Sequence, residues 1–294
     1  MNVMILLNYN DYHTTMNYLS KIKGFHSLDK IVVVDNCSTD NSYAVLCNYE
    51  SEKIHVIKTL HNDGYASGNN YGIEYALSTF QNIDNFIISN PDIEVDDDTI
   101  CLLSKIKDED SSTFAITPFV LDACGHKTRR FAWKKMTYGY ILLSCTCLIQ
   151  ALFRRILGYS KFYEKLETDD KNRMQVDILP GCFFLVDSKK WSEIGGFDEG
   201  TFLYFEEDIL FSKAINRGYH NYVACSLELR HMEGVSINNS IKKFKSREKI
   251  FMDSCIYYMK NYMNCSMLKI NIYKWMNKFF LFERYVYFKM FIRK

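Results

Sequence analysis

The 294-residue sequence predicts an α/β protein with a mostly parallel, Rossmann-like sheet flanked by helices and a helical C-terminal extension. Three observations predict it. Short apolar runs alternate with helix-length segments through roughly the first hundred residues, the rhythm of strands joined by crossover helices. Polar residues follow several of these runs, where the carboxyl ends of parallel strands gather functional groups. The last stretch, 237–294, interleaves Tyr and Phe with Lys and Arg and reads as terminal helices.

Taken in order, Val3–Leu7, Ile31–Val34, Ile54–Ile57 and Phe86–Ile88 are short and apolar, as expected of strands covered on both faces. Thr14–Ile22, Asn41–Tyr49 and Asn70–Phe80 have helical length, the last with Tyr71, Tyr75 and Leu77 on a shared face. A strand-helix-strand order makes the sheet parallel and the connections right-handed crossovers. Residues 137–153 carry no charge and are flanked by Lys135 and Arg154. Thr137, Gly139, Ser144, Thr146 and Gln150 break their apolar character, so a membrane-surface helix or a buried helix is expected rather than a span.

Net charge is only +1, which gives no basis for a nucleic-acid partner. The charge is uneven, however. Arg129, Arg130, Lys134 and Lys135 cluster, as do Lys242, Lys243, Lys245, Arg247 and Lys249, while acids gather at 92–98 and 206–208. The ten cysteines form no C-x-x-C pair and no zinc spacing, so they read as reduced cytosolic thiols. The apolar opening is too short for a secretory signal.

Six constellations carry chemistry. Asn8-Tyr9-Asn10 closes the first run, and Asp35-Asn36-Cys37-Ser38-Thr39-Asp40 closes the second; a carboxylate there can accept a nucleobase N–H or cap the next helix. The stretch from Asn62 to Gly72 is rich in Gly and Asn, allowing close backbone approach, although it is neither a P-loop nor G-x-G-x-x-G. Asn90-Pro91-Asp92 follows the fourth run, where a carboxylate can hold a divalent cation or simply mark a turn. Gly195-Gly196-Phe197-Asp198-Glu199 precedes Phe202 and the acids Glu206-Glu207-Asp208, which repel one another unless a cation, a helix N-terminus or a raised pKa compensates. His231 begins His231-Met232-Glu233-Gly234-Val235-Ser236; a lone His is usually structural, but near acids it can complete a metal site.

Read together, these elements resemble family 2 glycosyltransferases of the GT-A fold, especially the bacterial rhamnosyltransferase-like branch. The ordered set N-Y-N, D-x-x-S-x-D, N-x-G-x-x-x-G-N-N-x-G, N-P-D, G-G-F-D-E, E-D and H-x-x-G-x-S runs through residues 8–236. The resemblance implies a donor pocket for a nucleotide sugar built from Asn8, Tyr9, Asn10, Asp35, Asn36, Asp40, Asn62, Gly64, Gly68, Asn69 and Asn90. It implies that Asp92 and His231 hold Mg²⁺ or Mn²⁺, that Asp208, preceded by Glu207, is the catalytic base, and that Gly181, Cys182 and Glu206 border the acceptor. The family often continues E-D-x-D-L, whereas Ile209-Leu210 follows Asp208 here, so that later carboxylate is missing.

The expected organisation is a glycosyltransferase domain over 1–236, divided into a nucleotide-sugar half (1–118) and an acceptor half (119–236), then a basic-aromatic extension over 237–294. The expected activity is metal-dependent, inverting transfer from a dTDP-rhamnose or UDP-hexose donor to a glycan or lipid-linked acceptor, in bacterial cell-surface polysaccharide synthesis. Expected partners are the cytoplasmic membrane face, contacted peripherally, and a second copy through the extension. A sugar nucleotidyltransferase and a non-catalytic nucleotide-sugar-binding protein are the alternatives.

Overall fold

The computed structural model describes residues 1–158, 160–163, 165, 167–232 and 244–291. Glu233-Gly234-Val235-Ser236 and Lys242-Lys243 lie outside the described residues. The chain runs β1 (Asn2–Asn8), α1 (Tyr12–Ile22), β2 (Lys30–Asp35), α2 (Ser42–Leu46), β3 (Ile54–Lys58), α3 (Tyr65–Thr79) and β4 (Asn85–Ser89). It continues through β5 (Ile93–Glu94), α4 (Asp97–Asp108), β6 (Thr113–Leu121), α5 (Tyr138–Leu143), α6 (Cys147–Leu157), β7 (Arg173–Val176), β8 (Phe183–Asp187) and α7 (Ser188–Ile194). Next come α8 (Glu206–Asn216), β9 (His220–His231), α9 (Phe244–Asn261), α10 (Met267–Phe279) and α11 (Leu281–Phe291).

All strands join one sheet in the order β3-β2-β1-β4-β8-β6-β9-β5, with β7 also on β9. The α/β class expected from sequence is the one observed. The first four strands pair in parallel, because each returns through a helix. Beyond β4 the sheet becomes mixed, with β8 antiparallel to both β4 and β6, while β9 runs parallel to β6. Alternation along the strands feeds two cores. Ile5, Val34, Phe86 and Ile88 pack under α3, α7 and α8, and Met4, Leu6, Val33 and Ile87 pack under α1 and α4.

Three local expectations are corrected. The helix expected over 70–80 begins at Tyr65, so most of the Gly/Asn stretch is helical. Its buried face is Ala66, Asn69, Gly72, Ile73 and Ala76, whereas Tyr71 and Leu77 are exposed. A Cβ at Gly68 would lie 2.5 Å from Leu7, and one at Gly72 would lie 2.8 Å from Ile5 and 2.7 Å from Val34. The small residues therefore let α3 lie close on β1 and β2. The uncharged 137–153 stretch divides into α5, partly buried, and α6, none of whose residues is buried.

A third core forms around the end of the chain. Tyr140 and Ile141 of α5, Phe205 and Ile209, Cys255, Tyr258 and Met259 of α9, and Ile270 and Tyr273 of α10 pack together. Part of the expected surface aromatics is thus interior. No helix among the described residues is long and apolar enough to cross a membrane, and none of the ten cysteines is in a disulfide.

Candidate active site

The strand order reverses direction between β1 and β4, and crevices outside strand ends at such a point are where ligands bind in open α/β sheets. A cavity of about 410 Å³ opens there. One end is lined by Tyr9, Asn36, Asn62, Gly64 and Asn90, and another part by Gly181, Cys182, Glu206 and Glu207.

Beneath the first group lies a saturated polar framework. Asn8 Nδ2 donates to Asp35 Oδ2 at 3.0 Å and Asn8 Oδ1 accepts from Thr15 Oγ1 at 2.8 Å. Asp35 Oδ1 accepts from the Ser38 N–H at 3.0 Å. Asn36 Nδ2 donates to Asn62 Oδ1 and the Gly64 carbonyl, each at 3.1 Å, while Asn36 Oδ1 accepts from Thr59 Oγ1. Asn10 Oδ1 accepts from the Thr39 N–H at 2.8 Å, and Asp40 Oδ1 accepts from the Ser42 N–H at 2.9 Å, tying the loop into α2.

Sequence reasoning placed all of these at the donor. The structure divides them. Tyr9, Asn36, Asn62, Gly64 and Asn90 face the cavity, whereas Asn8, Asn10, Asp35, Asp40, Gly68 and Asn69 are not among its lining residues. Asp35 is fully buried with both oxygens engaged, and Asn69 is fully buried on α3, so neither is open to a ligand in this conformation.

Strand pairing joins two distant residues. In the antiparallel β5–β9 ladder Ile93 faces His231, and the Met232 N–H donates to the Asp92 carbonyl at 2.9 Å. His231 Nε2 consequently lies 3.3 Å from Asp92 Oδ1. That oxygen is buried and, beyond this ion pair, finds no hydrogen-bond partner among the described residues. Burial alone would lower the His231 pKa, but Asp92 and the Cys182 thiol push it up to about 10.

The acids occupy the first turn of α8. Tyr204 and Phe205 precede them with φ of 73° and 68°, left-handed values that cost non-glycine residues energy and persist only where surroundings enforce them. The enforcing contacts come from α9, where Phe251 meets both rings and Tyr258 stacks on Phe205. Leu203 O accepts from Ser254 Oγ at 2.8 Å. From the other side the Tyr65 N–H donates to the Phe202 carbonyl at 3.1 Å, and a Cβ on Gly64 would stand 2.0 Å from that oxygen. Glycine is required there.

Glu206, Glu207 and Asp208 differ in surroundings. Glu206 Oε2 is buried without a hydrogen-bond partner, and burial followed by the Glu207 charge raises its pKa well above the carboxylate range. Glu207 faces the cavity and accepts the Gly181 N–H; a Cβ at Gly181 would lie 2.2 Å from Glu207 Oε1. Burial and Asp208 push Glu207 up to about 7, against Lys161 and the Gly181 N–H. Asp208 is also buried and is pushed up to about 6, against Lys161 and Trp133. Asp208 Oδ1 accepts from Trp133 Nε1 at 3.2 Å, and Asp208 is not among the residues lining the cavity.

Several wall residues carried no usable signal. Tyr65, whose hydroxyl donates to the Gly181 carbonyl at 2.6 Å, lay inside the Gly/Asn stretch. Arg130 and Trp133 lay in a segment notable only for charge; Lys161, which is not itself a wall residue, sits 4.8 Å above the Trp133 ring and comes from a segment without pattern. The Gly-Gly-Phe-Asp-Glu acids turn out to be fastenings. Asp198 accepts from the hydroxyls of Tyr257 in α9 and of Tyr262 just beyond it, and Glu199 accepts from Asn70.

A switch-point cavity bounded by the buried carboxylates Glu206 and Glu207 and by His231, which pairs with Asp92 behind the wall, marks an α/β enzyme of the nucleotide-handling class. Comparison makes the class specific: the chain belongs to glycosyl transferase family 2, whose pattern matches residues 4–185. It is 26% identical over 251 residues to the low-salt glycan biosynthesis hexosyltransferase Agl10 of Haloferax volcanii, spanning 85% of this chain and 72% of that protein. Its fold is GT-A. GalNAc-T7, solved with UDP, GalNAc and Mn²⁺, superposes with a TM-score of 0.57 at 13% identity, covering 99% of this chain and 58% of that one. The mannosyltransferase PcManGT of Pyrobaculum calidifontis, solved with GDP-Man and Mn²⁺, gives 0.56 at 12% identity, covering 96% and 73%.

Proposed function

We propose that this protein is an inverting hexosyltransferase that moves a sugar from a nucleoside-diphosphate donor, dTDP-rhamnose or a UDP-hexose, to a hydroxyl of a glycan or lipid-linked acceptor in cell-surface polysaccharide synthesis. The observation that carries this reading is a single cavity joining the polar strand-end residues Tyr9, Asn36, Asn62 and Asn90 to Glu207, a buried carboxylate poised near neutral pH. The match to a hexosyltransferase of glycan biosynthesis supports it, as does a fold shared with proteins crystallised with UDP or GDP-Man.

Tyr9, Asn62 and Asn90 bind the donor, Asn36 shapes that wall with its amide engaged, and Asn8, Asn10, Asp35 and Asp40 hold the loops. Asp92 and His231 fit a divalent cation that would take the place of the proton on His231 Nε2, because a buried carboxylate oxygen with no other partner faces that nitrogen. Oxygen with a single nitrogen suits Mg²⁺ or Mn²⁺. Such a cation, when bound, offsets the negative charge of the donor's diphosphate.

Glu207, rather than Asp208, is the general base in this reading. It faces the cavity, the Gly181 N–H orients it, and its pKa of about 7 matches proton transfer at neutral pH. Glu207 takes the acceptor hydroxyl's proton as that oxygen bonds to the anomeric carbon. The bond from that carbon to the diphosphate oxygen breaks, and one displacement inverts the centre. Asp208 and Trp133 brace the base from behind. Glu206, whose burial and the neighbouring Glu207 charge raise its pKa well above the ordinary carboxylate value, borders the acceptor alongside Gly181 and Cys182.

The test is product analysis with candidate nucleotide sugars and a hydroxyl acceptor. Nucleoside diphosphate release with an inverted anomeric linkage by NMR is expected. Pyrophosphate release would make the protein a nucleotidyltransferase, and binding without turnover would make it a nucleotide-sugar-binding protein.

A further inference from the structure

Fifteen of the twenty-one large apolar side chains that stand exposed among the described residues lie on α6, α10 and α11. Leu148, Trp275, Phe279 and Phe282 are 71%, 65%, 65% and 75% exposed. Such a patch on a protein's surface marks an interaction site. The three helices form one rigid unit. Glu283 of α11 accepts from the Leu148 N–H at 2.7 Å and Thr146 Oγ1 at 3.1 Å, capping α6. Arg284 ties α11 to Glu248 of α9 and to Asn277 of α10. An apolar groove of about 460 Å³ joins α6 to α10, lined by Leu142, Leu143, Ile149, Phe153, Leu157 and Met276.

The charges on this unit have one sign. α6 and α10 carry Arg154, Arg155, Lys269, Lys274 and Lys278, all exposed, and no Asp or Glu. The acid of α11, Glu283, is consumed by the cap. A second copy of the same face would oppose these cations to one another. An anionic surface would neutralise them while its apolar layer received Trp275, Phe279 and Leu148.

We infer that the α6–α10–α11 face docks on an anionic lipid bilayer, with the groove between α6 and α10 receiving an acyl chain. The inference deepens the proposed work on a lipid-linked acceptor and names the surface that brings the cavity to it. The docking is interfacial, as no described helix is long and apolar enough to span. The face excludes α9, whose Tyr258 and Met259 are interior, and narrows the broad basic-aromatic segments to particular residues.

The experiment is co-sedimentation of the full chain with vesicles of phosphatidylcholine alone or with phosphatidylglycerol, at low and high salt. The comparison is a variant carrying Leu148→Ser, Leu152→Ser, Trp275→Ser and Phe279→Ser, all on exposed positions. Its fold is checked by nucleotide-dependent thermal shift. The wild type is expected to bind the anionic vesicles at low salt, with at least tenfold weaker partitioning in high salt and in the variant. Equal binding by the variant, equal binding to neutral vesicles, or no binding at low salt would each overturn the inference. A wild-type dimer that the four substitutions convert to monomer, without vesicle binding, would reassign the face to self-association. Nucleoside diphosphate release with a water-soluble acceptor is read separately, so failure of the proposed chemistry is distinguishable from failure of the docking.

Discussion

The donor end of the cavity and the turn that carries the acids solve opposite problems. Around Asn8, Asp35, Asn36 and Asn62 the polar atoms named above are paired with their neighbours. That framework is rigid, and its lesson is that most motif residues there shape a pocket rather than touch what enters it. At 204–208 the reverse holds. Two consecutive residues take left-handed φ, a carboxylate oxygen lacks a partner, and burial raises three successive acids. Unsatisfied polarity and strain persist only where other packing over-determines the fold, and they concentrate where chemistry is done. Here the packing comes from α9 and α10.

The sharpest break in this comparison is between neighbouring acids. Glu207→Gln is expected to lower turnover by about two to four decades with donor affinity near wild type, as when a general base is removed. Asp208→Asn keeps the Trp133 contact and should cost roughly tenfold or less. Steady-state kinetics beside donor titration checks both, and a larger loss in Asp208→Asn would return the base to that residue.

Next in size is the Asp92–His231 pair. Asp92→Asn should weaken Mn²⁺ binding in the presence of nucleoside diphosphate by about tenfold or more, read by titration calorimetry without turnover. Unchanged Mn²⁺ affinity would leave the pair a structural ion pair.

Phe251→Ala tests the claim that α9 holds the strained turn. The loss of a half-buried ring should cost about 2 kcal/mol in denaturant unfolding. Turnover should fall several-fold while donor affinity stays, because Asn8, Asp35, Asn36 and Asn62 are not members of the core that α9 joins. A matching loss of donor affinity would erase the distinction between the two regions.

The smallest effect is on pH. Glu207 and Asp208 titrate near 7 and 6 when folded, against ordinary values of 4.5 and 3.8. Between about pH 4.5 and 7 the folded protein therefore holds protons that the unfolded chain has released, so stability falls as pH rises through that window. Tm in metal-free buffer should climb by a few degrees from pH 7.5 to 5.5, and Glu207→Gln should remove part of the slope. The pH–rate profile moves the other way, rising through about 7 as Glu207 ionises.

Sequence alone determined the α/β class, the four parallel strands within a residue or two, the terminal helices and the family, because period, apolar runs and ordered motifs are local properties of the chain. Local pattern also marked the acids at 206–208 and the pair Asp92 and His231. Only tertiary structure decided what those residues face. Asn69 and Gly68 carry motif letters yet pack α3 onto the sheet, since a helix started five residues earlier than its apolar pattern showed. Asp208 turns to Trp133 and Glu207 to the cavity, a choice set by where α8 begins and by the 202–205 turn that α9 clamps. Tyr65, an unmarked position inside the Gly/Asn motif, and Arg130, from a segment with no motif, join the wall, while Lys161 reaches Trp133 and the acids from outside it. Burial and facing depend on contacts between residues far apart in the chain, and no local pattern encodes those.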